Sequence, residues 1–319
     1  METIRHLTVA GSGVLGGQIA WHSAYKGKIV VVYDISDAAI ANCRQMHAHY
    51  AAIYKSEVGA SDTDIEATVA RLRYSTDLAD AVVTADLVIE AVPEVPEIKD
   101  RFYRELAPLL PAHTVIATNS STLLASDFAE ATGRPSQFCS LHYANLIWSM
   151  NLVEIMAHHA TSDATLTLAT RFVIETGMVP IAVQKEQNGY LLNTWLVSLL
   201  NSAQTLVTNG VGTFEDVDRT FLKVALGAKV GPFGIIDVVG TNTVMNILRH
   251  WGNVNQDEQM LRNAAYVQGH LVDQGRSGIG VGAGYYDYPS PSYQQPGFLD
   301  VPDISAVASI VERVRPNRE

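Results

Sequence analysis

Three groups of residues in this 319-residue chain have the types and spacing to do chemistry. His142 closes the short apolar run that begins at Phe138, and Glu154 sits inside the next run, Leu152 to Met156. If both runs are neighbouring strands, a short loop brings imidazole and carboxylate together at one edge of a sheet. There the histidine acts as a general base held by an acid partner. The same residues also suit a blander role, a histidine capping a strand and a glutamate on an exposed face. The second group is the run Gly11, Gly13 and Gly16 with Asp34 further on, a pattern for holding a nucleotide. The third is the hydroxyl-rich stretch Thr118, Asn119, Ser120, Ser121 and Thr122.

The elements around the glycines decide what they mean. Residues 4 to 10 read as a buried strand, residues 18 to 25 have helical spacing, and residues 28 to 34 form a second strand ending in Asp34. Strand, Gly-x-Gly-x-x-Gly, helix, strand and acid is the dinucleotide-binding pattern in its expected context. Gly11 permits the tight turn, Gly13 leaves room for the pyrophosphate, and Gly16 lets the helix pack closely. Val14 and Leu15 complete the loop at the helix N-terminus, whose free N–H groups and positive dipole end suit phosphates. Asp34 accepts from both ribose hydroxyls and repels a 2′-phosphate, so the cofactor expected is NAD.

Further along, residues 36 to 58 and 63 to 72 read as a helical pair inserted after the second strand, a candidate substrate arm. Its Lys55 suits a phosphate, or is simply a solvated surface charge. Residues 85 to 92 form a clear buried strand. Ala91, Glu94 and Lys99 follow its C-terminal end, where a doubly wound sheet binds its ligand, so they fall near a nicotinamide ribose. Helix capping and an exposed ion pair explain Glu94 and Lys99 as well. Residues 114 to 117 form another strand, which ends in the hydroxyl-rich loop. Capping accounts for one serine there, but Asn119 and Ser121 also suit a polar substrate or cofactor group.

The totals set bounds. This length points to two domains, and 47% hydrophobic residues supply their cores. A net charge of −11 argues against nucleic acid or an anionic membrane as partner. Cys43 and Cys139 form neither a disulfide framework nor a metal cluster. With no signal peptide or spanning segment evident, the expected location is the cytosol. The fold expected is α/β, a doubly wound Rossmann-type domain over residues 1–185, followed by an all-α domain over 186–319. Helical spacing runs over residues 190–209, 213–226, 234–251 and 257–274. The helical domain is expected to form a homodimer. Asn193, near the start of its first helix, either faces the cleft or is an internally bonded core asparagine. The tail from Ser290 is expected to be loosely held or packed on the partner subunit.

Taken together these motifs resemble the L-3-hydroxyacyl-CoA dehydrogenase family, whose relatives include 3-hydroxybutyryl-CoA and L-gulonate dehydrogenases. The glycine loop, Asp86 to Glu94, Thr118 to Ser121, His142-x-x-Asn145, Met150 to Glu154, Gly189 to Asn193, Gly231 to Gly234 and Gly284 to Tyr288 carry the likeness. The twelve-residue step from His142 to Glu154 equals the family's spacing. The resemblance implies that His142 is the acid/base and Glu154 its orienting partner. It implies that Ser121 and Asn193 contact the reacting oxygen. It implies that Ala91, Glu94, Lys99 and Asn145 approach NAD, that the substrate is an acyl-CoA and that the protein is a homodimer, with no metal. The loop after His142 departs from the family: two prolines are missing and Trp148 is present, while Thr194 replaces an arginine. Those departures keep open a small free hydroxy acid as substrate. A crystallin-like NAD-binding protein without turnover is the reading from another class.

Overall fold

The computed structural model describes residues 3–212, 220, 221, 224 and 232–315. Short apolar runs alternate with helices through its first half. The order is β1 (His6–Ala10), α1 (Val14–Tyr25), β2 (Ile29–Tyr33), α2 (Asp37–Ile53), α3 (Asp62–Ala70), β3 (Leu72–Ser75), α4 (Leu78–Val82), β4 (Leu87–Glu90), α5 (Pro96–Leu106), β5 (Val115–Thr118), β6 (Phe138–Tyr143), β7 (Leu152–Met156), α6 (Asp163–Glu175) and β8 (Val179–Val183). Together the strands make one eight-stranded sheet in the order β3-β2-β1-β4-β5-β6-β7-β8. Its central strands are buried on both faces, which is why they read as unbroken apolar runs. Strand order reverses between β1 and β4, and the glycine loop lies at that switch point.

Sheet and expectation differ in two places. Leu72 does not end a helix but opens the edge strand β3, which runs to Ser75 parallel to β2. Its polar sequence, with Arg73 exposed and ion-paired to Asp80, hides it from an apolar-run reading. The His142–Glu154 pair is not at the lateral edge either. β7 runs antiparallel to β6, and β8 continues the sheet parallel to β7.

The chain divides into two compact units, Met1–Leu200 with Val301–Glu319, and Asn201–Asp300. α7 (Leu192–Thr208) begins within the first. The second contains α8 (Pro232–Val239), α9 (Thr241–Asn255) and α10 (Glu258–His270). The helix expected over 234–251 is in fact broken at Gly240, whose φ of +93° ends α8. Of the helix expected over residues 213–226 only 220, 221 and 224 are described, each of them helical, and the glycine at 231 lies outside the described residues. Within this unit the buried Asp237 carboxylate accepts from the N–H groups of Tyr285 and Tyr286 and the Tyr288 hydroxyl, fixing the aromatic turn.

The end of the tail is a further correction. α11 (Val307–Val314) packs on α6 and β8 of the first unit. Val307, Ile310, Val311 and Val314 recur at i, i+3, i+4 and i+7 and enter the main core. Arg315 clamps the helix to Asp163 at 2.7 Å. The last part of the tail, α11, is thus held by its own chain, through an apolar stripe that its charged and proline-rich surroundings obscure.

Candidate active site

Register brings His142 and Glu154 together. β6 and β7 pair antiparallel with His142 directly opposite Glu154, so both side chains leave the same face of the sheet. His142 Nδ1 lies 2.8 Å from Glu154 Oε2, and both residues are buried. The other carboxylate oxygen, Oε1, accepts from the backbone N–H groups of Leu191 and Leu192 at 2.8 and 2.9 Å. These are donors at the N-terminus of α7, where a helix offers unpaired N–H groups and favours negative charge. Glu154 is therefore fixed at both oxygens. With Nδ1 engaged by the carboxylate, Nε2 is left to meet a second group. It lies 3.2 Å from Ser121 Oγ.

Ser121 is itself held by a carboxylate. Glu94 Oε1 accepts from the Ser121, Thr122 and Leu123 N–H groups and the Ser120 and Thr122 hydroxyls. Partial burial works to raise the Glu94 pKa. The Ser120 and Thr122 hydrogen bonds and the Lys99 ammonium outweigh it and bring it to about 2. Lys99 is not a surface cation: it is buried, 2.6 Å from the equally buried Glu90 and 3.1 Å from Glu94. Tyr103 and Thr118 donate to the remaining Glu90 oxygen, each at 2.7 Å.

Beside this network opens a cleft of about 270 Å³. It is lined by Gly13, Val14, Leu15 and Gly16 on one side and by Ala91, Glu94, Lys99, Asn119 and Ser121 on the other. Its floor explains two glycines. A Cβ at Gly11 would stand 2.2 Å from the Ala91 carbonyl oxygen, and one at Gly16 would stand 2.0 Å from that of Gly11. Gly13 is different: a Cβ there would meet no protein atom within 4 Å. What it leaves free is space at the uncapped N-terminus of α1, which has no acidic residue in its first turn. That fits a pyrophosphate. Asp34 stands at the end of β2, with one carboxylate oxygen taken by the Ser12 N–H and hydroxyl.

Other expected residues are placed less directly. Asn193 is half-buried in the first turn of α7 and makes no side-chain hydrogen bond among the described residues. Asn145 is exposed in the β6–β7 loop. Asn119 lines the cleft while its side-chain Oδ1 accepts from the Tyr143 N–H at 2.9 Å. Lys55 pairs with Asp62 at the surface. Sequence reasoning missed the Leu191 and Leu192 N–H groups, Glu90 as the buried partner of Lys99, and Gln18. The Gln18 side chain accepts from Leu146 N–H at 2.8 Å and tethers the β6–β7 loop to α1. A glutamine in the second turn of a helix that is mostly apolar up to Trp21 was the available signal. The loop is also held by Trp148, packed on Tyr50 and Tyr54 at ring separations of 5.7 and 6.3 Å.

Fold and site define a two-domain, nicotinamide-dependent oxidoreductase. Residues 6–187 match the 3-hydroxyacyl-CoA dehydrogenase NAD binding domain, and residues 189–288 match the C-terminal domain of the same family. The chain is 31% identical over 290 residues to the mitochondrial hydroxyacyl-coenzyme A dehydrogenase of Rattus norvegicus, covering 89% of this chain and 91% of that one. A solved diketoreductase, described as acting on dicarbonyl compounds, is 41% identical with a TM-score of 0.67, over 90% of this chain and all of that one. The (S)-3-hydroxybutyryl-CoA dehydrogenase of Ralstonia eutropha is 27% identical with a TM-score of 0.65, covering 90% and 99%. The chain belongs to the 3-hydroxyacyl-CoA dehydrogenase family, and NAD is its cofactor.

Proposed function

We propose that this enzyme interconverts a 3-hydroxyacyl-CoA and its 3-keto form, with His142 as acid/base, Glu154 as its orienting partner and Ser121 and Asn193 on the reacting oxygen. The observation that carries it is the Ser121–His142–Glu154 line beside the cleft. When bound, NAD supplies the hydride acceptor and, reduced, the hydride donor. In the oxidative direction His142 Nε2 takes the proton of the 3-hydroxyl, and Glu154 stabilises the imidazolium that forms. In the reductive direction the imidazolium returns that proton to the 3-oxygen. Ser121, its N–H fixed by Glu94, keeps a hydroxyl at hydrogen-bond distance from Nε2. Glycines 11, 13 and 16, with Val14, Leu15, Asp34, Ala91, Glu94, Lys99, Asn119 and Asn145, are assigned to the cofactor. In this reading residues 1–185 hold NAD and the helical part that follows carries the homodimer contact, with α11 belonging to the first unit. Leu191, just before α7, and Trp195 and Leu199 within it are exposed at four-residue spacing, the kind of apolar face that a second copy covers. Cys43 and Cys139 are both free and buried, in keeping with a cytosolic setting.

A second reading, a small free hydroxy acid or dicarbonyl substrate, is favoured by the loop after His142. There Leu146 has a φ of +59° and Trp148 fills the space against α2, while the arm's Lys55 is paired with Asp62. The deciding experiment is NADH oxidation with acetoacetyl-CoA, free acetoacetate and a 3-keto sugar acid in parallel. Turnover confined to the thioester supports the first reading, and turnover confined to a free acid replaces it with the second. Silence on all three with NADH bound calls for a wider screen of 3-keto substrates before a protein without turnover is accepted.

A further inference from the structure

The imidazole of His142 lies flat against the ring of Tyr190, with centroids 4.6 Å apart and planes 20° from parallel. Tyr190 is 1% exposed, and its φ of +52° is in the left-handed region that bulky residues rarely adopt. Such a conformation persists only where its surroundings over-determine it, and it concentrates at functional sites. Here the turn is tied at several points. The Tyr190 N–H donates to the Gln187 carbonyl at 3.0 Å, and its own carbonyl accepts from the Thr194 hydroxyl. The next two N–H groups, of Leu191 and Leu192, are those that hold Glu154. One turn therefore touches both members of the pair, by its ring on the histidine and by its amides on the glutamate. Burial, helped by the Glu94 and Glu154 carboxylates, pushes the Tyr190 hydroxyl well above its ordinary range. The phenol is neutral, and the imidazole meets a π face rather than a charge.

We propose that Tyr190 is a positioning residue: its ring fixes the plane of the His142 imidazole, so that Nε2 stays aimed at the substrate oxygen. Hydrogen bonds to Glu154 and Ser121 grip the imidazole at its two nitrogens only. Two such points leave the ring free to rock about the line that joins them. A flat neighbour against its face removes that freedom, and offset stacking is the favoured geometry for such a pair. The inference rests on the acid/base role assigned above to His142.

The test compares Tyr190→Phe, which keeps the ring, with Tyr190→Leu, which removes it. Histidine-labelled protein gives the ring signals by NMR, with that of His142 identified by its loss in His142→Gln. In the wild type this signal is expected to carry a ring-current shift and a cross-peak to the Tyr190 ring. Tyr190→Phe should keep the shift, with kcat within about twofold of wild type. Tyr190→Leu should lose it, with kcat down about 10- to 100-fold and KM for NADH unchanged, the scale of a slightly misplaced catalytic group. Wild-type turnover in Tyr190→Leu, or Tyr190→Phe as slow as Tyr190→Leu, overturns the proposal. If Tyr190→Leu does not fold, absence of the cross-peak in the wild type overturns it, and its presence with an active Tyr190→Phe supports it. A slow His142→Gln beside a fast Tyr190→Leu sinks this proposal alone, whereas a fast His142→Gln removes the acid/base reading beneath it.

Discussion

His142 and Glu154 face each other across β6 and β7, with Nδ1 2.8 Å from Oε2 and neither side chain more than 4% exposed. A buried pair of this kind acts as a unit. Replacing His142 by Gln should lower kcat by about 10² to 10⁴, the usual worth of a positioned acid/base. Glu154→Gln should cost nearly as much, and the double variant little more than either alone. NADH affinity by fluorescence titration should stay within a few-fold throughout. Fully additive losses would mean that the two residues act separately.

The glycine loop makes an asymmetric prediction. Gly16→Ala forces a methyl group to 2.0 Å from the Gly11 carbonyl oxygen. It should cost about 1–3 kcal/mol or more of stability, as overpacking does. Gly13→Ala meets nothing within 4 Å. It should melt like the wild type without cofactor, yet bind NADH at least about tenfold more weakly, roughly 1.4 kcal/mol. An unchanged NADH Kd in Gly13→Ala would remove the pyrophosphate from that position.

Two buried histidines should make the fold sensitive to acid. Burial lowers His22 and His47 to about 4 from an ordinary 6.5, although each donates a hydrogen bond from Nε2 to a backbone carbonyl oxygen, of Thr176 and Gly17 respectively. The unfolded chain therefore binds protons that the folded chain refuses. The stability they confer is complete above about pH 6.5, is lost as pH falls from 6.5 towards 4, and falls no further below that. Each is worth on the order of 3 kcal/mol at most. Urea midpoints at pH 7.5, 5.5 and 4.5 should fall in that order, and less steeply in His47→Gln. Equal midpoints at pH 7.5 and 4.5 would contradict the assignment.

The C-terminal helix should matter through its apolar stripe rather than its ion pair. Ile310 is 2% exposed in the main core, and Ile310→Ala should cost about 2–4 kcal/mol. Arg315→Ala, which removes an exposed contact with Asp163, should change little. Denaturant unfolding of both variants checks the ranking. The reverse order would place the helix outside the core.

Light scattering should return twice the 34.6 kDa mass of the chain. Trp195, 53% exposed on α7, is the side chain whose replacement by Glu should shift the particle to a single chain. A monomeric wild type would remove the homodimer reading.

The local patterns of this chain are legible because each depends on neighbours in sequence. Gly11, Gly13 and Gly16 need only the strand before and the helix after them, and Asp34 needs only the end of the next strand. The step from His142 to Glu154 is legible for a similar reason, since an antiparallel pair with a short loop makes register a matter of counting. What the tertiary structure alone decided is the company those residues keep. Lys99 turned out to be a buried partner of Glu90, because a helix returning across the sheet brought two residues nine apart into the same dry space. α11 left its expected place in the second domain because four apolar side chains found a groove on α6 and β8. Tyr190 came to rest on His142 through a left-handed turn that no local preference predicts, paid for by bonds to Gln187, Thr194 and Glu154. Spacing along the chain governs the first kind of contact, whereas burial and hydrogen-bond satisfaction among distant segments govern the second.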